Sequence, residues 1–366
     1  MRIAGRVVTP DGVVPDGYVQ IDGAQVIRVG RTKKVHDGHW IVPGFVDIHV
    51  HGGGGHTFTT GDATAARLAV DFHRRHGTTT MLASLVSSPY DLMVDATEAF
   101  APLVAEGVLA GIHFEGPYLS LARCGAQNPR YLRDPSLDEL ATLVDLGRGA
   151  VRMVTLAPER DGALQAIKLL REHDVVAAIG HTDATYEQTL AAVAAGATVG
   201  THLFNGMPPP HHREPGPVFA LLGAPEVVCE LVADGFHLHE GTLAFAAGLA
   251  GPRRVALVTD AVAAAGMPDG DYELGGQLVQ VAGNAVRLAR NGAIAGSTLT
   301  MAEALRRTVH AGVSMVDAVR MAATTPARAI GLGDTAGALR PEMRADLVVL
   351  DEQLRVLRVM RAGVWL

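Results

Sequence analysis

Two histidines one residue apart, His49 and His51, close a short apolar run that starts at Phe45 and opens into four glycines. Residues two apart on a strand point to the same face, so both imidazoles converge on one point. Two converging imidazoles are the beginning of a metal site. Later apolar runs end in the same manner: in His113-Phe114-Glu115, in Gly180-His181, in Thr201-His202 with Asn205 just beyond, in Asp234 with His237, and in Thr259-Asp260. Any one such residue is more often a helix cap or a hydrogen-bonding neighbour. Their recurrence needs another reason. Residues at the C-terminal ends of successive parallel strands face one mouth, which makes His49, His51, Glu115, His181, His202 and Asp260 a ligand inventory. Nitrogen and carboxylate donors without cysteine suit zinc, iron or another divalent first-row ion.

The elements that must hold these residues are legible in the hydrophobic pattern. Before Pro43, short apolar runs at Gly5 to Val8, Gly17 to Ile21 and Gln25 to Val29 alternate with turn residues, which predicts small antiparallel strands. After Gly44 the pattern changes to continuous apolar runs separated by stretches of helical period, such as Thr64 to Arg75, Leu137 to Asp145, Ala163 to Glu172 and Tyr186 to Ala195. Strands alternating with amphipathic helices predict a covered parallel sheet, and about eight such units close into a barrel. The expected class is α/β: a (β/α)8 TIM barrel over residues 46–335, with a small β-sandwich domain built from both chain ends, residues 1–45 and 336–366. The turn-rich segment 266–292 has no helical period and is expected to form a β-hairpin insertion.

Composition narrows the function. Apolar residues make up 48% of the 366 and charged residues 19%, the balance of a globular enzyme. The net charge of -7 has no basic block behind it, so nucleic acid is not an expected partner. No run of ~20 apolar residues occurs, and the N-terminus lacks the apolar run of a signal peptide. The two cysteines, Cys124 and Cys229, form no CxxC pair and suit a reducing compartment. A cytoplasmic protein without a membrane partner is expected.

The ordered series PGFVDIHVHGGGG, GTTT, HFEGPYL, GHTDAT, THLFNGM, REPG, ADGFHL, VTDA and GAIAGSTLTMAEAL resembles the amidohydrolase superfamily. Within it, GHTDAT, THLFNGM and AGSTLTMAEA resemble the N-acetylglucosamine-6-phosphate deacetylases. The resemblance implies hydrolysis of a 2-acetamido group on a phosphorylated amino sugar, giving glucosamine 6-phosphate and acetate. It implies one metal on Glu115, His181 and His202 and a second beside it on His49 and His51, with Glu115 bridging. Zinc is the first expectation, with Fe, Co, Mn and Cd also compatible, at one or two ions per chain. Asp260 would complete the first site or hold the attacking water, serving as base and then acid, and His237 would orient the carbonyl. Arg213, Asn205 and Gly206 resemble the phosphate-binding part of the family, and Asn128 a sugar contact. Gln127 stands where a sugar-contacting histidine is usual. The resemblance also implies a homodimer, and it leaves Cys124 a bystander.

Three rival readings stand beside this one. A related enzyme could act on another N-acetylated amino sugar, or on a cyclic amide. The cyclic enzymes bridge their metals with a carboxylated lysine, and no lysine lies between Lys34 and Lys168. A non-catalytic scaffold relative would have no use for six metal-competent residues at strand ends.

Overall fold

A computed structural model describes residues 1–33 and 37–366. Both chain ends meet in one sheet. Its strands are β1 (Arg2–Thr9), β2 (Gly12–Asp22), β3 (Gln25–Arg31) and β4 (Trp40–Pro43) from the beginning of the chain, joined by three from its end. Their order across the sheet places the three late strands against β4, which pairs in turn with β1. Apolar residues alternate along these strands and bury Val7, Val19, Ile21, Val26, Ile41, Leu347, Val349 and Met360 in a core of their own. The expected sandwich is thus one seven-stranded sheet curled on itself: Val26 N donates to Met343 O (2.9 Å) and Ala345 N to Ala24 O (2.7 Å), bringing the β3 edge back to the late segment.

Only Gly44 separates β4 from β5 (Phe45–Asp47), the first barrel strand. A side chain there would place its Cβ 2.2 Å from Thr79 Oγ1, so the passage between the two units demands glycine. A small hairpin, β6 (Gly52–Gly53) with β7 (His56–Thr57), follows at the mouth. The barrel continues through β8 (Thr78–Leu85), β9 (Gly111–Glu115), β10 (Val151–Leu156), β11 (Val176–Ile179), β12 (Val199–Gly200), β13 (Val228–Val232) and β14 (Val255–Val258), each paired in parallel with its neighbour in sequence order. These runs are continuously apolar because both faces are covered; β8 is buried at every position. Asp260 N donates to His49 O (2.9 Å), His51 N to Ala261 O (2.8 Å) and Thr259 Oγ1 to Asp47 Oδ2 (2.6 Å), closing the ring between β14 and β5.

A helix follows each barrel strand: α1 (Ala63–Arg75), α2 (Tyr90–Ala105), α3 (Leu137–Gly147), α4 (Ala163–Glu172), α5 (Tyr186–Ala195), α6 (Gly216–Gly223), α7 (Glu240–Ala250) and α8 (Met301–His310). Their starts are set by side-chain caps such as Asp62 on α1, Ser136 on α3 and a full capping box, Thr185 with Gln188, on α5. Among the described residues no helix is long and apolar enough to cross a membrane.

The insertion is not a single hairpin but a three-stranded meander, β15 (Gly270–Leu274), β16 (Gln277–Ala282) and β17 (Ala285–Leu288). Two two-residue turns, Gly275-Gly276 and Gly283-Asn284, have positive φ at all four positions, the geometry of tight hairpin turns that match strand twist. Its inner face buries Leu274, Val279, Val281 and Val286 against Val86 and Val262, beside the barrel mouth. Gln277 Nε2 donates to Ala126 O and ties the meander to the loop after β9. The last strands, β18 (Leu347–Leu350), β19 (Val356–Arg361) and β20 (Val364–Trp365), complete the terminal sheet. At the barrel floor Arg344 Nη2 donates to Thr80 Oγ1 (2.6 Å) and Arg361 Nε to Thr79 O (3.2 Å), stapling this sheet to β8.

Candidate metal centre

Every residue of the expected ligand inventory arrives at the barrel mouth. His49 and His51 follow β5 directly, Glu115 ends β9, and His181, His202 and Asp260 each stand two residues beyond their strands. The last three have φ of 46°, 25° and 49°. That left-handed bend turns the chain off the strand axis at the point where the side chain must face the barrel axis, and His and Asp are among the residue types that tolerate it.

Two groups of buried donors result. In one, His49 Nε2 lies 3.2 Å from His51 Nε2, and Asp260 Oδ1 lies 3.2 Å from His51 Nε2 and 3.7 Å from His49 Nε2. In the other, Glu115 Oε1 lies 3.1 Å from His181 Nε2 and 2.9 Å from His202 Nε2, and the two imidazole nitrogens are 3.1 Å apart. Glu115 joins the groups, with Oε2 3.3 Å from His51 Nε2 and Oε1 3.5 Å from His49 Nε2.

The outer nitrogens show what the inner ones are for. His51 Nδ1 donates to Ser84 O (3.0 Å) and His181 Nδ1 to Arg123 O (2.8 Å); a carbonyl only accepts, so these nitrogens carry the protons. His49 Nδ1 donates to Glu230 Oε2 (2.9 Å). With neutral rings the Nε2 lone pairs would face one another and carboxylate oxygens, an arrangement that repels unless a cation, a proton or a metal ion, sits among them. Bonds of ~2.0 Å to a tetrahedral zinc put ligand atoms roughly 3.3 Å apart, which is the spacing found. The donors therefore fit one or two divalent ions.

Burial alone would raise the Glu115 carboxyl, but neighbouring His49 and hydrogen bonds from His181, His202 and His49 hold it well below the usual carboxylate range. For His51, burial favours the neutral ring, yet Asp260 and Glu115 outweigh it and push the pKa up to about 9. His237 stands at the rim. Burial again disfavours its charge, but Asp234 and Asp260 carry it up to about 9. Its Nδ1 donates to Asp234 Oδ2 at 2.7 Å, which leaves Nε2 facing Asp260 Oδ2 at 3.5 Å.

A cavity of about 240 Å³ opens over the centre. Its lining includes His51, Glu115, His181, His202, Asp260 and His237, the expected phosphate elements Asn205 and Gly206, and an apolar set of Val86, Leu274 and Ile294 in which the meander takes part. Gln127 also lines it, but its amide is already engaged: Nε2 donates to Glu115 Oε2 (2.7 Å) and Oε1 accepts from Ser87 N (2.7 Å). It holds Glu115 in place, a role not foreseen from its place in the sequence. Arg213 and Asn128 do not line the cavity of this chain. Arg213 sits on an exposed loop, donating to His212 Nε2 (2.8 Å), and Asn128 Oδ1 accepts from Arg130 N (3.2 Å) in a local turn. Cys124 is a half-buried free thiol beside the lining residue Gly125.

Support residues behind the centre escaped the sequence reading. Asp47 accepts from Thr259 and from His49 N, and burial raises its pKa to about 7 against those bonds. His113 lies beneath His49, hydrogen-bonded with Ser84 Oγ (2.9 Å) and Thr155 Oγ1 (2.8 Å). The signal for Asp47 and Glu230 was present: each is a carboxylate inside a run that is otherwise apolar and buried on both faces.

Residues 40–366 match the model of the amidohydrolase family. The chain is 38% identical to the N-acetylgalactosamine-6-phosphate deacetylase of Escherichia coli O157:H7, over 98% of this chain and 97% of that protein. It is 35% identical to the N-acetylglucosamine-6-phosphate deacetylase of Lysinibacillus sphaericus, over 99% and 95% respectively. Among solved structures, an aspartate-to-alanine variant of the N-acetyl-D-glucosamine-6-phosphate deacetylase of Mycobacterium smegmatis, in complex with N-acetyl-D-glucosamine-6-phosphate, superposes with a TM-score of 0.96. That protein is 44% identical, and the match covers 100% of this chain and 98% of the other.

Proposed function

We propose that this chain, which belongs to the amidohydrolase family, hydrolyses the acetamido group of N-acetyl-D-glucosamine 6-phosphate to D-glucosamine 6-phosphate and acetate. The observation that carries the reading is the set of six buried donors, five of which line one cavity, with Asp260 of that set facing His237. Glu115, His181 and His202, with His49, His51 and Asp260 beside them, would hold a divalent metal, which would supply a water of lowered pKa and a Lewis acid for the carbonyl. Asp260 takes the proton of the attacking water and delivers it to the departing nitrogen, base and then acid within one turnover. His237, held through Nδ1 by Asp234, presents Nε2 to the carbonyl oxygen as charge develops on it. Val86, Leu274 and Ile294 offer an apolar surface to the acetyl methyl.

Asn205 and Gly206 are the groups within the cavity that would meet the 6-phosphate. Arg213, exposed and outside it, suits a role across a homodimer, where its guanidinium fork would reach the phosphate of the partner's site. Zinc is the proposed ion, with Fe, Co, Mn and Cd as alternatives for the same nitrogen and carboxylate donors. Two free cysteines and a phosphorylated substrate fit work in the cytoplasm.

Acetate release by metal-replete protein tests the reading, run in parallel on N-acetylglucosamine 6-phosphate, its galactosamine isomer and the unphosphorylated sugar. Fast release from the first alone is the expected result. Activity on none of the three would overturn the substrate class. The galactosamine isomer is the second reading, motivated by the Escherichia coli relative, and preference for it would replace the first.

A further inference from the structure

Glu230 lies in the middle of β13, fully buried between Cys229 and Leu231. A carboxylate in such a place is costly unless paired. Its partners are unusual in that both meet one oxygen. Oε2 accepts from His49 Nδ1 at 2.9 Å and from the backbone N of His202 at 3.1 Å, while Oε1 has no partner among the described residues. The main-chain carbonyl of Glu230 accepts from Leu203 N at 2.9 Å. One residue thus grips a ring of one donor group and the backbone of a ligand in the other.

The four imidazoles of the centre are not backed equally. Among the described residues, His51 and His181 donate to neutral carbonyls, His202 Nδ1 has no partner, and His49 alone has its outer nitrogen against a carboxylate. A carboxylate behind a ligating imidazole fixes the tautomer and makes the inner nitrogen a stronger donor. Charge points the same way. Glu115 and Asp260 bring two negative charges to a centre where two divalent ions would bring four positive ones. Glu230 is a further buried carboxylate, one imidazole away from the His49, His51 and Asp260 group.

We propose that Glu230 is a positioning residue that sets the affinity of the His49, His51 and Asp260 group for its ion without ligating it. The inference rests on the metal-hydrolase reading above. Glu230→Gln keeps the shape and an acceptor but removes the charge; Glu230→Leu removes both. Titration of metal-free protein with Zn²⁺, read by calorimetry and by metal content per chain, separates the outcomes. Wild type is expected to take two ions. In the Gln variant the ion of the His49, His51 and Asp260 group should lose about 10-fold in affinity and in the Leu variant about 100-fold, with the ion on Glu115, His181 and His202 moved far less, although Glu230 also accepts from His202 N. Should the Leu variant fail to fold, the Gln variant carries the test. Two ions in wild type with both affinities unmoved in the variants would overturn the inference and leave the proposed function standing, as would an equal loss at both sites, the mark of general disruption. A wild-type chain that never takes more than one ion would overturn the two-ion reading and this inference with it.

Discussion

Replacing the Asp260 carboxylate by a carboxamide removes the group that moves the proton while keeping its volume, and asparagine tolerates the left-handed backbone at φ 49°. Asp260→Asn should fold, retain an ion on Glu115, His181 and His202, and lose about 10²–10⁴-fold in kcat, as read by acetate release beside metal content. His237→Ala should lose about 10²-fold in kcat with metal content unchanged, since it touches no member of the inner donor set except Asp260. At this scale the sequence was most transparent where the local pattern already places a side chain. The HxH pair and the strand-terminal Glu115, His181, His202 and Asp260 follow from strand periodicity and barrel topology. Glu230 and Gln127 do not, because what each does depends on a contact that strand periodicity does not place: with His49, 181 residues away, for one, and back across the loop after β9 to Glu115 for the other.

Helix α1 docks onto the small mouth hairpin through His73, whose Nε2 donates to Gly52 O at 2.8 Å. Burial, partly offset by that bond, drives its pKa down to about 4 from the ordinary 6.5. The folded chain holds this ring neutral. Its contribution to stability is therefore intact above pH 6.5 and is lost as the pH falls from 6.5 toward 4, where the unfolded chain takes up the proton first. His73→Gln keeps a donor and does not titrate. Denaturant unfolding of the metal-free proteins should show wild type losing about 1–3 kcal/mol more than the variant between pH 7 and pH 4. Equal losses would remove His73 from this account. Elements of strong period, α4 and α5 among them, begin and end where the pattern puts them. Alternating apolar residues predict a hairpin in segment 266–292, and the second of its two turns, Gly275-Gly276 and Gly283-Asn284, makes it a three-stranded meander.

Over the whole molecule, chemistry and cohesion occupy opposite ends of the barrel. The mouth gathers buried carboxylates and imidazole lone pairs that need a cation. Chelation should therefore lower Tm by several degrees and re-addition of Zn²⁺ restore it, a shift that scanning fluorimetry reads directly. The floor is held by arginines. Arg361→Ala removes donors to Thr79 O and Gly107 O at the seam between terminal sheet and barrel and should cost about 1–3 kcal/mol while leaving KM unchanged. The division into barrel and terminal sheet was legible because the hydrophobic pattern changes at Pro43-Gly44 and changes back near the end. That the small unit is one curled sheet was not, since strand order is fixed by contacts between residues about 320 apart, such as Val26 with Met343.

The left-handed backbone at His181, His202 and Asp260 has a consequence for descent. A lineage released from selection for metal would find few replacements at those positions without backbone strain, chiefly glycine, asparagine and aspartate. His49 and His51 sit in ordinary backbone and face no such filter. Relatives drifting toward a single ion should accordingly shed the HxH pair first, into varied residues, and keep a narrow alphabet at the other three ligands long after their chemistry has changed.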